Sequence, residues 1–362
     1  MKKKKVMLAM SGGVDSSVSA IILKEKGFYV EAAYMKNWEE DNNEEHCNSK
    51  SDLKYLDYIC KKLEIKLNIF NFSYEYWNRV FIPFIKKYKK NLLINPDILC
   101  NKNIKFNIFL NYAIKNLNFD LIATGHYANI KKLKNDKFVL KKHLDKQKDQ
   151  TYFLYNIKNE ELKYVLFPLN KYNKQDVRII AKKYGLLNYS RKDSTGICFI
   201  GKKKFNSFIE KYVKHIPGNI ITLDNDVIGI HNGIFNYNLG QRKGLNIGGK
   251  KKYLNEPWYV LKKNIKENEL IVVQGNKNPL LFKSTVFIIN FYFIFNTNKY
   301  NKINCKAKIR HSYKETKVRI DFLKFKKYKV TFNISQRLLN PGQTIVFYKN
   351  DLCIGGGTLI YF

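Results

Sequence analysis

The chain has 362 residues, 45% hydrophobic and 15% aromatic, enough for two or three domains with separate cores and no covalent staples. Its formal net charge of +36, from 66 basic and 30 acidic residues, steers polyanions and points to a nucleic-acid partner, although abundant Asn, Ile, Phe and Tyr mark a general compositional bias that also supplies lysines. Apolar runs fall short of the roughly 18 residues a membrane helix needs, and the six cysteines include no Cys-x-x-Cys and no zinc-spaced Cys/His pair, which excludes a membrane span, a disulfide scaffold and structural zinc.

Met1 to Met10 is basic, with only five apolar residues before Ser11. A secretory core needs about 7–15, so this reads as the first strand of a cytoplasmic protein. Strand-like runs at Val6–Met10, Tyr29–Met35, Leu67–Phe72 and Leu121–Gly125 alternate with helical patterns. They predict an α/β fold with a parallel sheet over residues 1–204. Between the first two runs, Ser16–Lys26 carries Val18, Ile21 and Ile22 at helical spacing, and Gly27 follows as a terminator.

Ser11-Gly-Gly-Val-Asp-Ser-Ser17 therefore lies between a strand and a helix. The paired glycines let backbone N–H groups turn toward an anion, Ser11, Ser16 and Ser17 add hydroxyls, and the helix aims its positive end at a phosphate. Asp15 is a candidate magnesium ligand. No Gly-Lys-Ser/Thr follows, so this is not a Walker loop.

Near Phe205 a short helical segment gives way to Pro217-Gly218 and glycine-punctuated segments, predicting a small linker domain over 205–275. From 276 to 362 the chain is β-branched, aromatic and alternating, as in Lys317–Phe322 and Tyr328–Ile334. Pro341-Gly342 and Gly355-Gly-Gly357 act as turn or bulge signals, and a small β-barrel is expected. The lysine clusters Lys202–Lys204 and Lys250–Lys252 read as solvated loops. Cys60, Cys305 and Cys353 read as small buried hydrophobes, and Cys47, beside His46, as part of a polar loop.

The glycine loop resembles the PP-loop, or N-type ATP pyrophosphatase, group, whose members form an adenylate and release pyrophosphate. Met35-Lys-Asn-Trp-Glu39, Asn95-Pro-Asp97 with Cys100-Asn101, Ile104-Lys-Phe106, Thr124-Gly-His-Tyr127, Lys148-Asp-Gln150, Asp193-Ser-Thr-Gly-Ile-Cys-Phe-Ile-Gly201 and Leu239-Gly-Gln-Arg-Lys-Gly-Leu245 resemble, in order and nearly end to end, the tRNA-specific 2-thiouridylase family. That resemblance implies ATP as substrate, held by Ala9, Met10, Ser11, Gly12, Gly13, Val14, Asp15 and Ser16 together with Met35 and Gly125, with magnesium. Asn95, Pro96 and Asp97 would meet the target base, and Lys148, Asp149, Gln150, Arg310 and His311 would meet tRNA. Cys198 would carry a persulfide and Cys100 act as nucleophile, leaving a transient Cys100–Cys198 disulfide. The implied partners are the lysine, glutamate and glutamine tRNAs and a sulfur-relay protein or cysteine desulfurase; no iron–sulfur cluster is expected.

Without the resemblance, Asn95-Pro-Asp97 is ordinary turn chemistry, and Gln241-Arg-Lys243 is as readily a solvated loop as a phosphate contact. Two positions depart from the family pattern. Asn246 replaces a glycine after Leu245, which Asn tolerates because it accepts positive φ. His311-Ser-Tyr313 alters the segment after Arg310. The alternatives are another PP-loop synthetase, which would need an amine source and has no use for the cysteine pair, and a basic RNA-binding protein that has lost catalysis.

Overall fold

A computed structural model of the protein describes residues 3–38, 49–134, 136–191, 196–197, 200–201, 205–249, 252–294, 301–311, 314–323 and 326–360. Cys198, Cys47, His46 and Lys202–Lys204 lie outside the described residues, as do Lys250 and Lys251 of the second lysine cluster. Strand β1 (Lys5–Ala9) runs parallel to β2 (Tyr29–Lys36) on one side and β4 (Leu121–Thr124) on the other. β3 (Leu67–Asn71) and β7 (Val165–Leu166) complete a five-stranded parallel sheet of order β3-β2-β1-β4-β7. Val6, Met7 and Leu8 are fully buried, because helices cover both faces of such a sheet and its central strand must be apolar throughout.

Helix α1 (Val14–Glu25) follows β1 and ends at Lys26, with Gly27 in the left-handed region at φ +80°. It packs with α2 (Ser49–Lys62) on one face of the sheet, where Val18, Ile21, Ile22, Leu56, Ile59 and Cys60 share one core. The opposite face is covered by a long aromatic helical layer that includes Tyr76, Phe81, Phe106 and Phe109. Among the described residues, no helix is long and apolar enough to cross a membrane.

The hairpin β5 (Asn129–Lys132) and β6 (Phe138–Lys141) sits between β4 and β7 in sequence but does not join their sheet. It pairs instead with the C-terminal sheet, through Lys141 and Leu352, which the sequence pattern did not indicate. After the short hairpin β8 (Gly196–Ile197) and β9 (Ile200–Gly201) comes a four-stranded sheet. Its strands are β10 (Gly218–Ile221), β11 (Val227–His231), β12 (Trp258–Asn264) and β13 (Glu269–Gln274), in the order β11-β10-β13-β12. Asn246 in this region has φ +52°.

The C-terminal strands are β14 (Phe282–Phe293), β15 (Lys302–Lys308), β16 (Thr316–Phe322), β17 (Tyr328–Arg337), β18 (Thr344–Lys349) and β19 (Leu352–Leu359). They run in the order β14-β17-β16-β15-β18-β19, and pairing of β19 with β14 closes the barrel. Closure requires glycine, since a Cβ on Gly355 would lie 2.0 Å from the Tyr292 carbonyl and one on Gly356 2.7 Å from that of Ile345. Val286, Ile288, Val318, Ile320, Val330 and Phe347 fill the interior, while Val346, Tyr348 and Cys353 join the core of the N-terminal part with Leu140 and Tyr155.

Candidate active site

The residues expected at ATP gather along the carboxyl ends of three adjacent strands: Ser11–Ser17 after β1, Met35 near the end of β2 and Gly125 just after β4. This is the edge at which parallel α/β sheets bind ligands. Ala9, Met10 and Val14 are buried side chains, so they can face a ligand only through backbone. Gly12 has φ +72°, and a Cβ there would stand 2.8 Å from the Asp52 carbonyl. Gly13 caps α1 without a side chain, leaving first-turn N–H groups directed outward. Ser16 Oγ donates to the Gly13 carbonyl at 3.0 Å and Ser17 Oγ to the same carbonyl at 2.9 Å, which fixes the turn.

Gly125 permits a close approach, but its nearest neighbour is the α1 backbone: a Cβ there would meet Ser16 N at 2.9 Å. Asn188 Nδ2 donates to the Gly12 carbonyl at 2.9 Å and to Ser17 Oγ at 3.0 Å. Asp15 accepts from Lys174 Nζ at 2.8 and 2.9 Å and from the Tyr127 hydroxyl at 2.6 Å. Lys174 opens α4 (Lys174–Lys183), whose N-cap Asn173 accepts from Gln175 N and Asp176 N. Neither Lys174 nor Asn188 was singled out from sequence. The capping box marks the helix, but no local signal separates this lysine from the rest.

The second cluster is built on α3 (Pro96–Cys100). Asn95 caps it by accepting from Asp97 N at 2.8 Å, and Pro96 occupies the first turn, where its missing N–H costs nothing. Asp97 and Cys100 stand three residues apart and so share a helix face. Burial raises the Asp97 carboxyl above its ordinary value, opposed by the charge of Lys105. Burial, and then the charge of the same lysine, hold His126 well below the usual imidazole range; its Nδ1 lies 2.8 Å from Thr124 Oγ1. Cys100 is only 1% exposed. Its thiol is buried in this conformation, where α3 continues into a wide π-type helix (Asn101–Phe109) and Cys100 belongs to the same core as Ile104, Phe106 and Phe109. The next residue, Asn101, donates to the Phe153 carbonyl at 3.1 Å.

A cleft of about 390 Å³ opens over this helix. Asn95, Pro96 and Asp97 form one wall, Tyr152 and Phe153 a second, and Arg310, His311, Gln343 and Thr344 of the barrel the third. Residues expected at the target base and residues of the barrel, from distant parts of the sequence, therefore share one concavity.

Lys148 is partly exposed, whereas Asp149 is only 1% exposed and turns its carboxylate into the protein. Its carboxylate accepts from His143 N at 3.1 Å, from Thr151 Oγ1 at 2.9 Å and from Lys308 Nζ at 3.1 Å. Gln150 Oε1 accepts from Tyr127 N at 2.8 Å. Tyr127 thus joins the nucleotide loop, through Asp15, to the segment that underlies the cleft.

A glycine-loop nucleotide site on a parallel sheet, joined to two β modules, defines a multidomain protein of the HUP class. Models of the tRNA methyl transferase HUP domain, the tRNA methyl transferase PRC-barrel domain and the aminomethyltransferase beta-barrel domain match residues 4–202, 206–274 and 283–359. The tRNA-specific 2-thiouridylase MnmA of Buchnera aphidicola subsp. Schizaphis graminum is 50% identical over 99% of this chain and 97% of that protein. Those of Marinomonas sp. (46%; 98% of this chain, 91% of that one) and Photorhabdus laumondii (43%; 99% and 97%) are also similar. The chain belongs to the tRNA-specific 2-thiouridylase family.

Proposed function

We propose that this enzyme makes 2-thiouridine in tRNA by adenylating the C2 carbonyl oxygen of the wobble uridine, position 34, and replacing it with sulfur. The observation that carries the reading is the convergence of Asp97, the helix bearing Cys100 and the barrel residues Arg310 and His311 around one cleft, linked by Tyr127 to the loop that suits ATP. ATP is bound along the carboxyl edge of β2, β1 and β4. First-turn N–H groups of α1 and the exposed Ser11 hydroxyl face its phosphates. Magnesium fits as a passenger on those phosphates, since Asp15 is the carboxylate of the loop and, among the described residues, no cluster of three His, Cys, Asp or Glu stands ready as a cage.

In the transfer, the uridine oxygen displaces pyrophosphate and becomes part of an adenylate. The terminal sulfur of a Cys198 persulfide forms the new bond at C2, and AMP leaves. The Cys100 thiolate attacks the inner sulfur of that persulfide, breaking its S–S bond and releasing the terminal sulfur with the bonding pair. The protein is left as a Cys100–Cys198 disulfide that an external thiol reduces. Asp97, with its raised affinity for a proton, serves the uridine. The substrates are the lysine, glutamate and glutamine tRNAs, the site of action the cytoplasm, and the sulfur donor a relay protein or cysteine desulfurase.

Nucleoside mass spectrometry of unmodified glutamate tRNA, incubated with the enzyme, ATP, magnesium and a persulfide donor, tests this. ATP-dependent 2-thiouridine is expected. Pyrophosphate release without a thiolated nucleoside would mean a different acceptor nucleophile, and silence in both would favour an RNA-binding protein.

A further inference from the structure

The cleft over Asp97 has walls from two bodies, the sheet domain and the barrel, and one residue, Asp149, ties the barrel segment that carries Arg310 and His311 to the sheet domain. Asp149 is 1% exposed, and the side chain of its ion-pair partner Lys308, the last residue of β15, only 9%. Two residues beyond the intervening Ile309, His311 Nε2 donates to the Asp149 carbonyl oxygen at 2.9 Å. Both ends of the Lys308–His311 segment are therefore tied to Asp149, one through its side chain and one through its backbone. The His311 ring lies 4.7 Å from that of Phe153, tilted by 31°, and both line the cleft.

We propose that Asp149 is a positioning residue for the transfer reaction. By holding Lys308 and His311 it seats the barrel strap against the sheet domain and sets the width of the cleft that receives the target base. The inference deepens the thiolation reading and rests on it. The carboxylate is suited to this because its other acceptor sites are filled from its own loop, by His143 N and Thr151 Oγ1. These two bonds hold the carboxylate within its own loop. Thr151 Oγ1 lies in turn 3.2 Å from the Tyr348 hydroxyl of β18, and the Tyr152 hydroxyl donates to the Thr344 carbonyl at 2.9 Å, so the same loop meets the barrel at several points.

Stability alone does not require this pair. A buried ion pair is often replaceable by apolar residues of similar volume without loss, whereas removing one partner strands a charge and is costly. What apolar residues cannot reproduce is direction: the pair fixes Lys308, and hence the strap, in register with Asp149.

The test compares wild type with Lys308→Arg and with the double variant Asp149→Asn/Lys308→Met, in which the amide oxygen still accepts from His143 N and Thr151 Oγ1. Thermal melting, affinity for a non-hydrolysable ATP analogue and steady-state 2-thiouridine formation against tRNA concentration are measured on each. The proposal expects the double variant to melt near wild type and to bind the analogue within about twofold, while kcat/KM for tRNA falls by about 10- to 100-fold, the cost of a misplacement near 1 Å. Lys308→Arg should retain most of the activity. Wild-type kcat/KM in the double variant, or loss of analogue affinity in step with activity, would overturn the positioning role alone. A wild type that forms no 2-thiouridine would instead bring down the thiolation reading, and the proposal with it.

Discussion

Asp15 and Lys174, 159 residues apart, meet with one ammonium 2.8 and 2.9 Å from the two carboxylate oxygens. The pair sits at the mouth of the nucleotide loop, where the first turns of α1 and α4 face each other. Its side chains are 29% and 13% exposed, so solvent weakens it only in part. The lysine neutralises the carboxylate beside the N-terminus of α1.

Replacing Lys174 by Met should therefore weaken ATP binding on the order of tenfold, the worth of one charge-assisted hydrogen bond. Tyr127→Phe, which removes a single donor to Asp15, should have a smaller effect. Titration with a fluorescent ATP analogue, with and without magnesium, checks both; equal affinity of Lys174→Met and wild type would contradict the arrangement.

Gly125→Ala should abolish nucleotide binding while leaving the barrel intact. Its Cβ would stand 2.9 Å from Ser16 N and 3.0 Å from the Asp15 carbonyl carbon. Backbone cannot yield as a flexible side chain can, so α1 must tilt away from the sheet edge. The same titration, combined with near-ultraviolet circular dichroism of the aromatic-rich barrel, separates the two effects.

How much of this was legible in sequence depended on the range of the interaction concerned. Strands β1 to β4 and α1 showed themselves because apolar runs and Gly27 are local signals. The hairpin β5–β6 did not, since Asn129–Lys132 and its turn are lysine-rich and its place is set by Lys141 meeting Leu352. The resemblance placed Asp149 at tRNA, and no local signal marks its carboxylate as buried; only the fold brings Lys308 to it. Cys100 stood out by resemblance, yet its burial depends on how the helical layer packs into one core.

Asp97→Asn should raise stability at pH 7 while lowering the rate. Burial raises the folded-state affinity of this carboxyl for its proton. The favourable contribution of that proton is present below the unfolded pKa and is lost as pH rises through the folded one, so the ionised form at neutral pH is a cost that Asn removes. Melting curves from pH 4 to pH 8 should show the variant's advantage growing with pH. Thiolation should fall by about 10²- to 10⁴-fold if Asp97 handles a proton in the reaction.

Lys263 makes the opposite case. Burial lowers its pKa to about 8, and its ammonium donates to Asn91 Oδ1 at 2.6 Å, on the segment leading into Asn95-Pro-Asp97. Between about pH 8 and its ordinary value of 10.5 the unfolded chain binds more protons than the folded one, so stability should rise with pH across that window. Denaturant midpoints should show this rise in wild type and lose it in Lys263→Met.

In the free enzyme, Cys100 at 1% exposure should resist alkylation far longer than a surface thiol, and tRNA with ATP should accelerate its labelling if the transfer step opens the helix around it. Peptide mass spectrometry after timed iodoacetamide treatment measures this; equal rates in the two states would mean that Cys100 takes part without exposure.

The central claim is that sulfur leaves Cys198 under attack by Cys100. Its most direct test is a single turnover of enzyme persulfidated at Cys198, with ATP, magnesium and unmodified glutamate tRNA and no external thiol. The products are counted by nucleoside and non-reducing peptide mass spectrometry. The account predicts one Cys100–Cys198 disulfide for each 2-thiouridine formed, and neither product from Cys100→Ser. Full 2-thiouridine yield with Cys100 still a free thiol would contradict it.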